Sequence, residues 1–267
     1  MNKSLCHLLI ALGLVLPVSA SAQVELKSYS GYESKLMSLD IEGFHPPALY
    51  FRSTTKGKRP LAIFLHGRGG DRGGRFVNTH SEIVLQLSEQ NLACDVIHPL
   101  SKGGWSPKAL DELIDLMIEK HDINKDRIYI LGSSMGGAGT WKYGFEGKHE
   151  IAAFVPIASG ASKTDKVHDR WDITKMKDKP IWMFHGEEDT IVPFANAKET
   201  AEKMKAINPK FKWTTFPGVK HGSRGPALKT KELYSWLLKQ TCASSFAETL
   251  TLRQDPETGA IRVFREG

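Results

Sequence analysis

Gly132-Ser133-Ser134-Met135-Gly136 is a Gly-x-Ser-x-Gly pentapeptide that follows the apolar run Ile128-Tyr129-Ile130-Leu131 and opens a helical pattern. A serine at the turn from strand to helix forms a nucleophile elbow. The chain reverses so sharply that the serine backbone is strained, its hydroxyl is left exposed, and the free N–H groups of the helix N-terminus favour developing negative charge. Glycines two residues to either side are needed because side chains there would strike the neighbouring strand and helix. The frame selects Ser134, bracketed by Gly132 and Gly136, over Ser133, which would need a glycine in place of Leu131. A chain of this length yields roughly 0.1 such pentapeptides by chance, so the strand before and the helix after carry much of the weight.

A serine hydroxyl is a weak nucleophile at neutral pH and needs a base that is itself oriented by an acid; on an elbow the chain order is Ser, then Asp or Glu, then His. Downstream, the loop His185-Gly186-Glu187-Glu188-Asp189-Thr190-Ile191-Val192-Pro193 follows an apolar run, placing its carboxylates beyond the C-terminal end of a strand, where open α/β sheets build their sites. Asp189, deepest in that loop, is the expected acid, with Glu187 and Glu188 as the alternatives or as solvated loop charges. His221 is the single histidine after Asp189 and stands in the loop 216–222, between a strand and the last helix, so order and uniqueness select it as the base. Attack on an acyl carbonyl also needs donors for the oxyanion. These are expected from the backbone N–H of Met135 and that of Arg68, in the glycine-rich turn His66-Gly67-Arg68-Gly69-Gly70 that follows the apolar run 61–65. His66 precedes the serine in the chain and is expected in a structural or positioning role, with substrate contact as the alternative.

These residues must be held by a scaffold, and the periodicity describes one. Short apolar runs alternate with helical patterns from Leu49 onward, which signals βα units and a mostly parallel sheet. The spacing predicts strands over 61–65, 95–98, 128–131, 154–157, 181–184 and 212–216, and helices at about 80–90, 107–121, 136–143, 195–207 and 226–238. In the second helix Leu110, Leu113, Ile114, Met117 and Ile118 fall on one face. Residues 24–51 carry no clean helix and are expected to supply one or two antiparallel edge strands. Past the core, which spans about 49–238, a tail over 241–267 has two strand-like runs flanking Asp255-Pro256-Glu257-Thr258-Gly259, the pattern of a hairpin. Nothing argues for a second domain, so residues 23–267 are expected to form one.

The composition, 40% hydrophobic, 25% charged and 9% aromatic over 267 residues, excludes a disordered, collagen-like or multi-span membrane chain. Residues 1–22 read as an export signal: Lys3 supplies the basic end, Leu5 to Leu16 is apolar apart from His7 and Gly13, and Ala20-Ser21-Ala22 is a small-x-small cleavage pattern. A periplasmic or secreted protein is expected, with no integral membrane association after cleavage near Ala22, since no later run reaches the ~20 apolar residues of a spanning helix. The formal charge of +6 comes from interspersed residues and makes no nucleic-acid footprint. Once Cys6 leaves with the signal, Cys94 and Cys242 are either a disulfide or two free thiols. Their spacing suggests no structural zinc, and Gly67-Arg68-Gly69-Gly70-Asp71 lacks the GK[ST] ending of a nucleotide loop, so no metal or organic cofactor is expected.

With these residues in view, the chain resembles the serine α/β-hydrolases. More narrowly it is similar to the exported bacterial carboxylesterases related to the dienelactone hydrolase and prolyl oligopeptidase group, with its polyhydroxybutyrate depolymerase-like and feruloyl esterase-like members. The likeness runs over about residues 58–238, through Phe64-Leu65-His66-Gly67, Gly132 to Gly137, His185-Gly186 with Asp189 and Val192-Pro193, and Lys220-His221-Gly222. It implies a single α/β-hydrolase domain, a Ser134–Asp189–His221 triad, Met135 and Arg68 as oxyanion donors, and hydrolysis of carboxylic esters through an acyl-enzyme. Dienelactone hydrolases proper use a cysteine nucleophile, and the serine here departs from them. Only 23 residues, many of them polar, separate Ile157 from Ile181. That is too few for a large apolar lid and favours an open cleft for small or polymer-borne esters, such as acetyl or feruloyl groups on saccharides. Trp105 is a candidate to stack on a sugar or aromatic acid, with a core role as the alternative. Arg68, Arg72, Arg75 and Arg224 flank the expected site and are candidates to bind an anionic substrate, or else solvated loop charges. A prolyl oligopeptidase-like peptidase and a non-catalytic binding protein on the same scaffold are the competing readings; oligomeric state is not legible.

Overall fold

The alternation of the sequence becomes an eight-stranded sheet in the computed structural model, which describes residues 26–70, 75–101, 103–161, 172–242, 249–254 and 261–266. The expected signal segment lies outside the described residues. The strands are β1 (Tyr32–Met37), β2 (Phe44–Ser53), β3 (Arg59–Leu65), β4 (Asp95–Ser101), β5 (Ile123–Ser133), β6 (Ala153–Ile157), β7 (Ile181–Gly186) and β8 (Phe211–Phe216), arranged β1-β2-β4-β3-β5-β6-β7-β8. β1 and β2 pair antiparallel with each other and β2 with β4, while β3 to β8 run parallel. The polar and apolar residues of 32–53 thus form an antiparallel edge on a sheet whose other strands need helical crossovers. Beyond the sheet, β9 (Thr249–Gln254) and β10 (Ile261–Glu266) pair antiparallel with each other.

Both faces of the sheet are covered, so the central strands are apolar on alternate sides. Leu61, Ile63, Leu65, Ile128 and Ile130 meet one core with α2 (Pro107–Lys120), α3 (Met135–Glu146) and α4 (Phe194–Ile207). Ala62, Phe64, Tyr129 and Leu131 face a second core with α1 (Arg75–Glu89), α5 (Arg224–Leu228) and α6 (Lys231–Lys239). α2 starts as its sequence dictates: Pro107 occupies the first turn, and the Ser106 hydroxyl caps it by accepting the Ala109 N–H at 3.4 Å. Its buried stripe is Ala109, Leu110, Leu113, Ile114 and Met117, each of the leucine, isoleucine and methionine side chains contributing ~1.5–3 kcal/mol when fully buried.

The structure divides the single helix expected over 226–238. α5 ends at Leu228 and α6 begins at Lys231, because Thr230 takes an extended conformation between them (φ −71°, ψ 102°). The freed Leu228 carbonyl accepts the buried Tyr234 hydroxyl at 2.6 Å, which compensates the interruption. Cys94 is buried and Cys242 half-buried, both as free thiols, so the disulfide alternative is not realised; burial pushes the Cys242 thiol up to about 11.

The end of the sheet opposite the serine turn is locked by a buried charge. Asp95 accepts from Arg59 Nε at 2.9 Å and Nη2 at 3.3 Å, from the Tyr50 hydroxyl at 2.5 Å and from the Ser53 N–H at 2.9 Å, joining β2, β3 and β4. Arg59 and Asp95 are almost fully buried, and burial together with the Asp95 bond keeps Tyr50 protonated far above its ordinary range. Removing one member of such a pair leaves the other uncompensated. Asp95→Ala is expected to lower unfolding stability by about 3–5 kcal/mol in denaturant titration, and a loss under about 1 kcal/mol would contradict this account of the lock.

Candidate active site

β5 ends at Ser133 and α3 begins at Met135, so one residue makes the reversal. Ser134 has φ 57° and ψ −116°, a region that costs a non-glycine residue on the order of 1–3 kcal/mol and persists only when the surroundings enforce it. Its N–H donates to the Ile157 carbonyl at 2.9 Å and its carbonyl accepts the Ala138 N–H at 2.9 Å. The flanking glycines are sterically required: a Cβ on Gly136 would lie 1.9 Å from the Leu65 carbonyl oxygen, and one on Gly132 would lie 2.2 Å from the Gly136 carbonyl oxygen. Backbone of β3, β5 and α3 therefore meets without side chains between.

His221, in the loop between β8 and α5, reaches Ser134 from the other side of the cleft. Its Nε2 lies 2.8 Å from Ser134 Oγ and its Nδ1 lies 2.8 Å from Asp189 Oδ2. A carboxylate only accepts, so Nδ1 carries the proton and Nε2 is free to accept the serine hydroxyl. Asp189 is fully buried, and its Oδ1 accepts the N–H groups of Ile191 at 2.9 Å and Val192 at 3.0 Å. Two backbone bonds tie the acid loop to the histidine loop: Glu187 N–H to Phe216 O at 3.1 Å and Glu188 N–H to Val219 O at 3.0 Å. Glu187 and Glu188 themselves are exposed, and Glu187 accepts the Thr215 hydroxyl at 2.7 Å.

Gly67, Arg68, Ser134, Met135, Ile191 and Val192, with His221, line one open cleft of about 1000 Å³. Met135 is the first residue of α3, so its N–H has no acceptor within the helix. Among the described residues no group of three or more His, Cys, Asp or Glu side chains is arranged to hold a metal ion.

Two of the expected substrate residues are elsewhere. Trp105 is 5% exposed, packs edge-on against Phe44 and His66, and donates its indole N–H to the His66 carbonyl at 3.1 Å. It is a core residue under the loop after β4 and offers no ring face to a substrate. His66 is likewise buried, with Nδ1 against the Gly67 carbonyl at 2.8 Å and Nε2 accepting the Ser101 N–H at 3.0 Å. Both ring nitrogens are taken by backbone, so His66 braces the turn that carries Arg68 and does not contact substrate. Arg72 lies outside the described residues.

Sequence reasoning named His185 within the His185-Gly186 stretch that carries the resemblance but gave it no role. This fully buried side chain at the end of β7 donates its Nε2–H to the Val192 carbonyl at 3.0 Å, and the same nitrogen lies 3.3 Å from Asp189 Oδ2. Its Nδ1 has no hydrogen-bond partner among the described residues. The signals were its place in that stretch and its position, four residues before the acid at the end of a strand. Burial holds its pKa below the ordinary value of 6.5, so it stays neutral in the fold while the unfolded chain takes up a proton there. Its contribution to stability is present above about pH 6.5 and is lost as the pH falls below it. His185→Gln, which retains an N–H donor, is expected to flatten the decline in denaturation midpoint between about pH 8 and pH 5. A variant with the full wild-type decline would contradict the assignment of a neutral His185.

Comparison with known proteins accords with this geometry. Residues 106–234 match the phospholipase/carboxylesterase family. Acyl-protein thioesterase 1 of Debaryomyces hansenii is 31% identical over 223 residues, an alignment that takes in 66% of this chain and 90% of that protein. Acyl-protein thioesterase 1 of Gibberella zeae is 31% identical over 136 residues, covering 51% of this chain, and the match spans 57% of that relative's length. Among solved structures, a thermostable esterase superposes with a TM-score of 0.63 at 26% identity, covering 79% of this chain and 63% of that one. A sheet of this order with an elbow after its fifth strand, and relatives of this kind, lead to one assignment: the chain belongs to the phospholipase/carboxylesterase family of serine α/β-hydrolases.

Proposed function

We propose that this protein hydrolyses carboxylic esters through an acyl-enzyme on Ser134, with His221 as the general base and acid and Asp189 as its orienting partner. The observation that carries this reading is the unbroken relay from Asp189 Oδ2 to His221 Nδ1 and from His221 Nε2 to Ser134 Oγ, each step 2.8 Å. In the first half-reaction Ser134 Oγ attacks the ester carbonyl carbon while His221 Nε2 takes the hydroxyl proton. The tetrahedral oxyanion is held by the Met135 and Arg68 N–H groups, and Asp189 stabilises the imidazolium. Collapse breaks the bond to the leaving oxygen, which departs as the alcohol with the proton from His221. Water then attacks the acyl-enzyme by the same route, and the carboxylic acid leaves as Ser134 regains its proton.

The open cleft supports small or polymer-borne esters as substrates. Saccharide-linked acetyl or feruloyl groups remain the finer proposal, resting on cleft shape without Trp105 as a stacking platform. The acyl-protein thioesterase relatives support thioesters as a second acyl class for the same machinery. A side-by-side series of acetyl, butyryl and feruloyl oxygen esters, an acyl thioester and a peptide substrate separates these from amide cleavage. On 4-nitrophenyl acetate, Ser134→Ala is expected to lose at least about 10⁴-fold in kcat. Near-blank rates for both wild type and variant across the series would contradict the hydrolase reading.

A further inference from the structure

The cleft around Ser134 is chemically two-sided. Met135, Ala138, Ile191 and Val192 give it apolar surface, with Ile191 72% exposed. Its charged side chains, among the described residues, are two guanidinium groups, Arg68 and Arg224, and no carboxylate lines it. Asp189 lies behind His221, fully buried, with its oxygens engaged by His221 and by two backbone N–H groups.

Arg224 follows His221 by three residues at the start of α5 and is half-buried. Its side chain makes no hydrogen bond or ion pair among the described residues, whereas those of Arg52 and Arg59 each have a carboxylate partner. Burial alone pulls its pKa below the ordinary value, with no opposing contribution from a neighbouring anion. Withdrawing a guanidinium from water without a partner is unfavourable, and its planar fork matches two oxygens of a carboxylate or phosphate. A cation desolvated in this way, on the lining of the cleft that holds the nucleophile, is placed to receive charge from a ligand.

We infer that Arg224, with Arg68 on the lining of the same cleft, forms an anion subsite, and that the preferred substrates are esters carrying a carboxylate or phosphate group close to the scissile bond. This rests on the hydrolase reading above and deepens it by naming the substrate class. The anionic group binds the guanidinium while the ester carbonyl reaches Ser134, so the subsite acts on specificity and takes no part in proton transfer. As an interaction in an open cleft, it weakens as ionic strength rises.

Matched pairs of esters test the inference. On the acyl side the pair is the 4-nitrophenyl monoester of glutaric acid and 4-nitrophenyl pentanoate; on the alcohol side it is 4-acetoxybenzoate and its methyl ester. At low salt the wild type is expected to favour the anionic member of at least one pair by about 10-fold or more in kcat/KM, the scale of one charge-assisted contact. Within Arg224→Gln that ratio is expected to fall to about one or below, and Arg224→Lys is expected to retain part of it. Because each ratio is taken within one protein preparation, partial misfolding does not generate it. Inhibition of neutral-ester cleavage by succinate and by inorganic phosphate distinguishes the two anions: tighter inhibition by one names that group. A wild type that cleaves both members of each pair without preferring the anion, or an Arg224→Gln ratio equal to wild type, overturns the subsite alone. Failure to cleave any of the four overturns the hydrolase reading on which it rests.

Discussion

Three backbone segments meeting at van der Waals limits govern the architecture around Ser134. The helix that follows the elbow rests on the end of β3 and on its own preceding strand, closely enough that a Cβ at Gly136 would fall 1.9 Å from the Leu65 carbonyl oxygen. This contact requires β3 and β5 to be neighbours and parallel, which is the centre of the observed strand order. It also sets the Ser134 backbone in its strained conformation and brings the turn after β3, with Gly67 and Arg68, to the same cleft as the start of α3. Loosening the contact by a single methyl group would disturb serine, helix terminus and oxyanion turn together.

Asp189 organises the opposite wall. Its carboxylate binds two N–H groups of its own loop and the His221 ring, with the His185 Nε2–H close by, so its orientation is set from several directions at a fully buried position. A buried carboxylate with this much hydrogen bonding is pre-organised to hold an imidazole in one tautomer. The backbone bonds between the acid and histidine loops then fix the separation of β7 and β8 at their C-terminal ends. Ser134 is held by strain and close packing, whereas His221 is held by polar bonds; the 2.8 Å contact between them joins the two walls.

Much of this was legible in the sequence because it depends on local rules. Apolar runs bounded by turns identified the six parallel strands, the pentapeptide frame separated Ser134 from Ser133, and chain order with histidine uniqueness pointed to His221. Other features depend on which surfaces meet in three dimensions. Trp105 follows a strand end, and nothing local distinguishes a cleft-facing ring from one packed against Phe44 and His66. Splitting the last helix at Thr230 depends on Tyr234 reaching the Leu228 carbonyl, a contact invisible to a helical period that continues across the break. His185 reads as the first residue of the loop after an apolar strand, and its place against Asp189 follows from how that loop folds back over β7.

The central claim is that Ser134, and not its neighbour Ser133, is the activated hydroxyl of this fold. Reaction of the full chain with a fluorophosphonate, followed by intact-mass and peptide mapping, tests it without reference to any substrate. One adduct per chain on Ser134, absent in Ser134→Ala and slowed by at least about 100-fold in His221→Ala, is the predicted result. An adduct on Ser133, or no adduct on the folded wild-type protein, would contradict the account.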